Sequence, residues 1–145
     1  MMKKYIYLLV LALGMISCSS TQQFAGFVET ATPPTEGMAK IHVVRKKSGF
    51  ASAVKSKIYQ EDKLIGKLGN GSYLSWEVQP EATYLVATTE NRDTVRLDLE
   101  PNKEYFVSLN YKMRFIMARA DLNIIDKAEF EEMMGKTKKP KLKQI

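Results

Sequence analysis

From Ala39 onward the side chains alternate apolar and polar at period two, and turn chemistry interrupts them roughly every eight to twelve residues. A strand sends successive side chains to opposite faces, so such a chain builds sheets with one face turned to a core. The result is a small β-sandwich or barrel. In residues 39–45, Ile41 and Val43 share one face and Lys40, His42 and Val44 the other. Residues 54–60 and 64–68 read as a hairpin across Glu61-Asp62-Lys63, and Asn70-Gly71 supplies a tight reversal before residues 73–78, where Leu74, Trp76 and Val78 lie on one side. Pro80 breaks the pattern. Residues 83–89 resume it, and Asn91-Arg92-Asp93 turns into residues 94–99, where Val95, Leu97 and Leu99 alternate with Arg96 and Asp98.

Beyond the Pro101-Asn102-Lys103 turn, residues 104–110 and 113–119 read as two further strands, with 121–125 extending the last. Asp126 is placed to cap a helix over Lys127–Met134, with Phe130, Met133 and Met134 at helical spacing and Gly135 as its stop. That apolar stripe is expected to close an open end or edge of the sheet. Residues 38–135 are long enough for one core and too short for two. The prediction is an all-β domain, a small antiparallel β-sandwich of about seven to eight strands with one short C-terminal helix.

The chain opens with Met1-Met2-Lys3-Lys4 and a run of roughly a dozen uncharged, mostly apolar residues, a length that suits a signal peptide and falls short of a membrane span. The run ends in Met15-Ile16-Ser17-Cys18, which resembles the lipobox of bacterial lipoproteins, with Met15 where leucine is usual. Residues 1–17 are expected to be a lipoprotein signal peptide and Cys18 the acylated residue, since two or more acyl chains anchor stably where one does not. An ordinary signal peptide cut near Ser19 is the alternative reading. Cys18 is the only cysteine, so no internal disulfide exists. Ser19 is not the aspartate that often retains such proteins in the inner membrane, so the expected address is the cell envelope, on the outer membrane. Residues 18–37, rich in Ser, Thr and Gln with Pro33-Pro34 near their end, read as a flexible tether holding the domain on the order of 25 Å from the lipid. In the alternative, Phe24, Phe27 and Val28 pack on the domain or dip into lipid headgroups.

The order of several motifs resembles a family of bacterial lipoproteins catalogued as domain of unknown function 2846. They are Ile41-His42-Val43-Val44-Arg45, Ile58-Tyr59, Lys63-Leu64-Ile65-Gly66-Lys67-Leu68, Asn70-Gly71-Ser72-Tyr73, Val78-Gln79-Pro80 and Pro101-Asn102-Lys103-Glu104-Tyr105-Phe106. The resemblance implies a small β-rich domain in exported, often lipidated proteins and brings no established activity or catalytic residues. The chain departs from it where glycine is usual, carrying Asp62, Glu81 and Asn102. Asp and Asn tolerate left-handed backbone geometry better than Glu does.

The chemistry available is sparse. His42 is the only histidine, and with Cys18 consumed by lipid no His/Cys zinc site can be assembled. The acidic groups Glu61-Asp62 and residues 90–93 read as polar turns. A serine nucleophile would need His42 as its base, and His42 reads as a solvent-facing strand residue. No catalytic residue, metal or cofactor is assigned, and the expected role is non-catalytic. The charge is +6, from 22 basic and 16 acidic residues, and loss of Lys3 and Lys4 leaves 20 against 16. The excess gathers in residues 136–145, read as a disordered basic tail whose Lys136, Lys138, Lys139, Lys141 and Lys143 are candidates for binding a polyanion. Strand aromatics such as Tyr73, Trp76, Tyr84, Tyr105, Phe106, Tyr111 and Phe115 offer a carbohydrate or peptide surface where they face outward. The expected partners are the membrane, through Cys18, and another envelope protein or anionic polymer; nucleic acid is not expected. Two alternatives stand beside this reading: a structural accessory subunit of an envelope complex, and a weak envelope hydrolase with unassigned residues.

Overall fold

The alternation over residues 39–45 becomes strand β2 (Ala39–Arg45) at the predicted limits. The computed structural model describes residues 21–24 and 26–143; residues 1–20, with the expected signal peptide and Cys18, lie outside them. The remaining strands are β1 (Gln22–Gln23), β3 (Ser56–Gln60), β4 (Lys63–Leu68), β5 (Ser72–Val78), β6 (Ala82–Thr88), β7 (Arg92–Asp98), β8 (Glu104–Arg114), β9 (Met117–Ile125) and β10 (Lys141–Leu142), with helix α1 (Lys127–Met134) between the last two. They form a sandwich of two sheets, a six-stranded β10-β1-β4-β3-β6-β7 and a four-stranded β5-β2-β8-β9. The inward faces meet in one core of Ile41, Val43, Ile58, Ile65, Leu74, Leu85, Leu97 and Leu109, among others. Each such side chain contributes roughly 1.5–3 kcal/mol by leaving water. Leu74, Trp76 and Val78 share that core, as do Val95, Leu97 and Leu99.

Several connections differ from expectation. Ser72 follows the Asn70-Gly71 turn into the other sheet, so this reversal is a crossover rather than a hairpin, with Gly71 at φ 62°. Strand β8 runs unbroken to Arg114 and turns through Phe115-Ile116 into β9, with nine paired positions from Phe106↔Ile125 to Arg114↔Met117. The break expected near Tyr111 does not occur, because nothing there forbids extended backbone. Two pairings are parallel, β2 with β8 and β1 with β10. Alternation cannot show this, since it fixes the face and leaves the direction of the partner open. Asn102 takes the left-handed conformation at φ 64°, and so does Glu61, rather than Asp62, at φ 53°.

The two sheets stay separate along β7 and β9, where side chains replace a ladder. Asn91 accepts from the Ala120 amide (2.9 Å) and donates to its carbonyl (3.2 Å), and Asp93 accepts from the Leu122 amide (2.6 Å). The outward edge of β9 thus satisfies its backbone without closing a barrel.

The described residues are fastened to the sandwich at both of their ends. Of the expected tether, residues 18–20 lie outside the described residues. From Thr21 the segment is laid on the domain: β1 pairs with β4, Phe27 bridges Trp76, and the Val28 amide donates to the Ser75 carbonyl at 3.2 Å. The expectation of a free tether fails there because β4 and β5 offer unpaired edges that a polar segment can complete through its backbone, whatever its composition.

Candidate functional site

The outer face of β2 carries Lys40, His42 and Val44, the face expected to meet water. The N-terminal segment and α1 cover it instead, and Lys40 and His42 are fully buried. Helix α1 begins where predicted, its N-cap Asp126 accepting from the Glu129 amide at 2.8 Å. It lies on the sheet face rather than closing an end, with Phe130 buried beside Val44, Tyr73 and Phe106. His42 stacks on Phe106 (5.0 Å between ring centres, 6° between planes) and meets Phe130 at 5.1 Å.

Both nitrogens of His42 are engaged. Nε2 is 2.9 Å from Glu104 Oε1, and Nδ1 is 3.0 Å from Ser75 Oγ. A carboxylate can only accept, so Nε2 carries a proton; in the neutral ring, which burial favours, Nδ1 then accepts from the Ser75 hydroxyl. Burial lowers the His42 pKa, opposed by the Glu104 carboxylate and reinforced by Lys40 and Lys127. The Lys40 ammonium donates to the carbonyls of Glu29 and Thr32, and burial lowers its pKa despite Glu104, Glu77 and Glu29 nearby. Thr35 is fixed through its amide and hydroxyl to Glu77 at 2.6 and 2.9 Å, and the Gly37 amide to Asn102 at 2.7 Å.

Ser75, His42 and Glu104 therefore form a serine, histidine and carboxylate line that sequence spacing did not reveal, because the three lie on three strands. A nucleophile must meet its substrate, and Ser75 is fully buried. The Gln23 side chain closes over it, donating to the Ser75 carbonyl at 2.8 Å and accepting from its amide at 3.1 Å. The line holds β2, β5 and β8 in register as a polar link within the sheet. Glu104 alone reaches the surface, in a cleft of about 360 Å³ between residues 30–33 and α1, with Lys127 and Glu131 on its rim. Among the described residues, no three His, Cys, Asp or Glu side chains gather as metal ligands.

The described part of the basic tail, through Lys143, lies against the domain. Lys138 donates its amide to the Gly71 carbonyl (2.8 Å) and accepts from the Ser72 hydroxyl (2.6 Å), Pro140 is buried, and the amides of Lys141 and Lys143 donate to Thr21 and Gln23 (2.8 and 2.9 Å). Charge repulsion alone suggests disorder, but the edge of β1 takes up this backbone while the lysine side chains point to solvent. Lys136, Lys138, Lys139, Lys141 and Lys143 are all exposed. Lys139 pairs with Glu29 and covers the Phe27 ring, and the other four make no ion pair among the described residues.

Of the strand aromatics, Tyr73, Trp76 and Phe106 are buried, Tyr105 and Tyr111 half-buried, and Tyr84 and Phe115 exposed. Arg45 is buried against Tyr111, its charge 4.4 Å from the ring centre, and its guanidinium donates to the carbonyls of Ala51 and Val54. No family model matches the chain, and neither curated proteins nor solved structures yield a similar protein, so the likeness to domain of unknown function 2846 rests on its motifs.

Proposed function

We propose that the chain is a lipid-anchored envelope protein of the kind the motif resemblance implies, held at the outer membrane through Cys18, and that it acts by binding another envelope protein or an anionic polymer. One observation carries the non-catalytic part. The only histidine has both nitrogens engaged inside the sheet, and its serine partner is sealed, while unpaired lysines and apolar side chains stand at the surface. The tail lysines form a fixed strip beside the N-terminal segment, suited to an extended polyanion.

The test is in-cell crosslinking with mass spectrometry on the full chain, alongside Cys18→Ala. The expected result is an acylated Cys18, a specific partner or polymer recovered from anchored protein, and release of Cys18→Ala from the membrane fraction. Polymer recovery should fall when the tail lysines are neutralised. An unmodified Cys18 refutes the anchor.

A second reading, a weak hydrolase, draws on Glu104 in the cleft with His42 behind it. Hydrolysis of an envelope substrate that is lost in His42→Gln while the fold persists would establish it and displace the binding role.

A further inference from the structure

Strand directions sort the loops between two ends of the sandwich. Arg45 pairs with Ser72, Ser56 with Leu68, Gln22 with Lys67 and Thr88 with Arg92. Thr21, where the described residues begin, the 46–55 loop, the Gly69–Gly71 turn and the 89–91 turn therefore share one end. Because β8 is parallel to β2, the Phe115-Ile116 turn lies there too. The turns at 61–62, 79–81 and 99–103 lie at the other end.

The β8–β9 hairpin projects from the first end. Tyr111 and Ala120 are paired at the level of the 89–91 turn, where Asn91 grips Ala120. Three more pairs follow before the turn, about 10 Å of strand at the usual rise. At the tip Phe115 is 96% and Ile116 93% exposed, and Met113, Met117 and Phe50 are exposed beside them. Phe115 has φ 57°, at the position of a two-residue hairpin turn that favours glycine. A bulky side chain held left-handed and bare in water costs stability, and such outliers gather at functional positions.

The same end carries a collar of cations, with Lys46 and Lys47 beside Tyr111, Lys55 in the 46–55 loop, and Lys112, Arg114 and Arg119 on the hairpin; three carboxylates stand among them, Glu90, Asp93 and Asp121, the last 3.2 Å from Lys112. Apolar side chains in advance of a basic ring complement an anionic lipid interface, where hydrocarbon lies beneath the headgroup charges. Thr21 is bound at this end through its hydroxyl, which accepts from the Gly69 amide at 2.8 Å. Two residues, Ser19 and Ser20, separate it from Cys18, so three Cα–Cα steps limit the reach to about 11 Å.

We infer that this end of the sandwich docks on an anionic bilayer, with Phe115 and Ile116 entering the interface and the basic collar resting on the headgroups. The inference rests on the anchor reading for the direction in which the end faces. It replaces a domain swinging on a tether with one seated on the membrane.

The test uses full chain on vesicles of phosphatidylethanolamine and phosphatidylglycerol, with Phe115→Trp as the reporter, Glu100→Trp at the other end as its control, and buried Trp76 as constant background. The expected result is a blue shift and quenching of the Phe115→Trp signal by brominated lipid, protection from aqueous iodide, and loss of both effects in phosphatidylcholine vesicles. Glu100→Trp should show the reverse accessibility. A Phe115→Trp signal as open to iodide as the control on vesicle-bound protein overturns the docking. A signal shielded from both quenchers also overturns it, since a protein rather than lipid then covers the tip. Intact mass decides the anchor separately: an unacylated chain whose tip is still lipid-quenched refutes the anchor and upholds the docking.

Discussion

Gly66→Ala tests whether the N-terminal segment is part of the fold. A Cβ at Gly66 would stand 2.4 Å from the Gln22 carbonyl oxygen and 2.9 Å from Leu74 Cδ2. The leucine methyl can swing aside, but the carbonyl belongs to β1, so relief requires β1 to retreat by about 1 Å to ordinary contact. The Phe24 amide bond to the Ile65 carbonyl, 2.9 Å long, then passes beyond hydrogen-bond range. Overpacking of this kind costs about 1–3 kcal/mol and each lost ladder bond about 1 kcal/mol. The expected loss is roughly 2–4 kcal/mol, or on the order of 10 °C in Tm for a domain of this size. Gly49→Ala is the control, since its Cβ meets nothing within 4 Å, and its effect should stay within about 0.5 kcal/mol. Urea denaturation gives the stability, and limited proteolysis of residues 21–37 reports release of the segment. Equal stability and equal protection in the two variants would refute β1 as a docked strand.

Other consequences are direct. Burial holds the His42 pKa below its ordinary value, so as pH falls through about 6.5 the unfolded chain takes up the proton first, and stability declines with falling pH by at most about 1.4 kcal/mol per unit until the native ring also titrates. As the only histidine, His42 gives a single imidazole titration by NMR; a pKa at or above 6.5 contradicts the argument. Asp126→Ala removes the cap on the Glu129 amide and should cost about 1 kcal/mol in denaturant titration, with Asp126→Asn largely preserving it. Lys40→Met leaves the Glu29 and Thr32 carbonyls without their donor, a loss of about 1–3 kcal/mol, with faster hydrogen exchange across residues 28–35 than in wild type.

Period-two alternation placed β2, the inward faces of β5 and β7, and the break at Pro80. Cap and stop residues placed α1 to the residue. These features are local and can be read locally. Alternation did not show that the second face of β2 is also covered, because the covering elements are α1, more than 80 residues away, and a segment that reads as linker. His42 therefore reads as exposed, and its partners Ser75 and Glu104 stay hidden on other strands. Phe115-Ile116 carries no Gly, Pro, Asn or Asp, so no turn signal marks where its hairpin reverses. Charge alone makes the tail read as disordered, whereas its placement depends on backbone groups that every composition shares.

Pairing of Gln22 with Lys141, and of β2 with β8 in parallel, also has a kinetic consequence. Contacts this distant in sequence make loop closure precede any gain, which slows folding. The six-stranded sheet cannot complete its outer edge until almost the whole chain is present. Under the envelope function proposed above, that delay would keep the polypeptide passable through an export channel until residues 141–142 have followed. A chain cut short before residue 138 would keep the edge of β1 bare, a template for pairing with its neighbours.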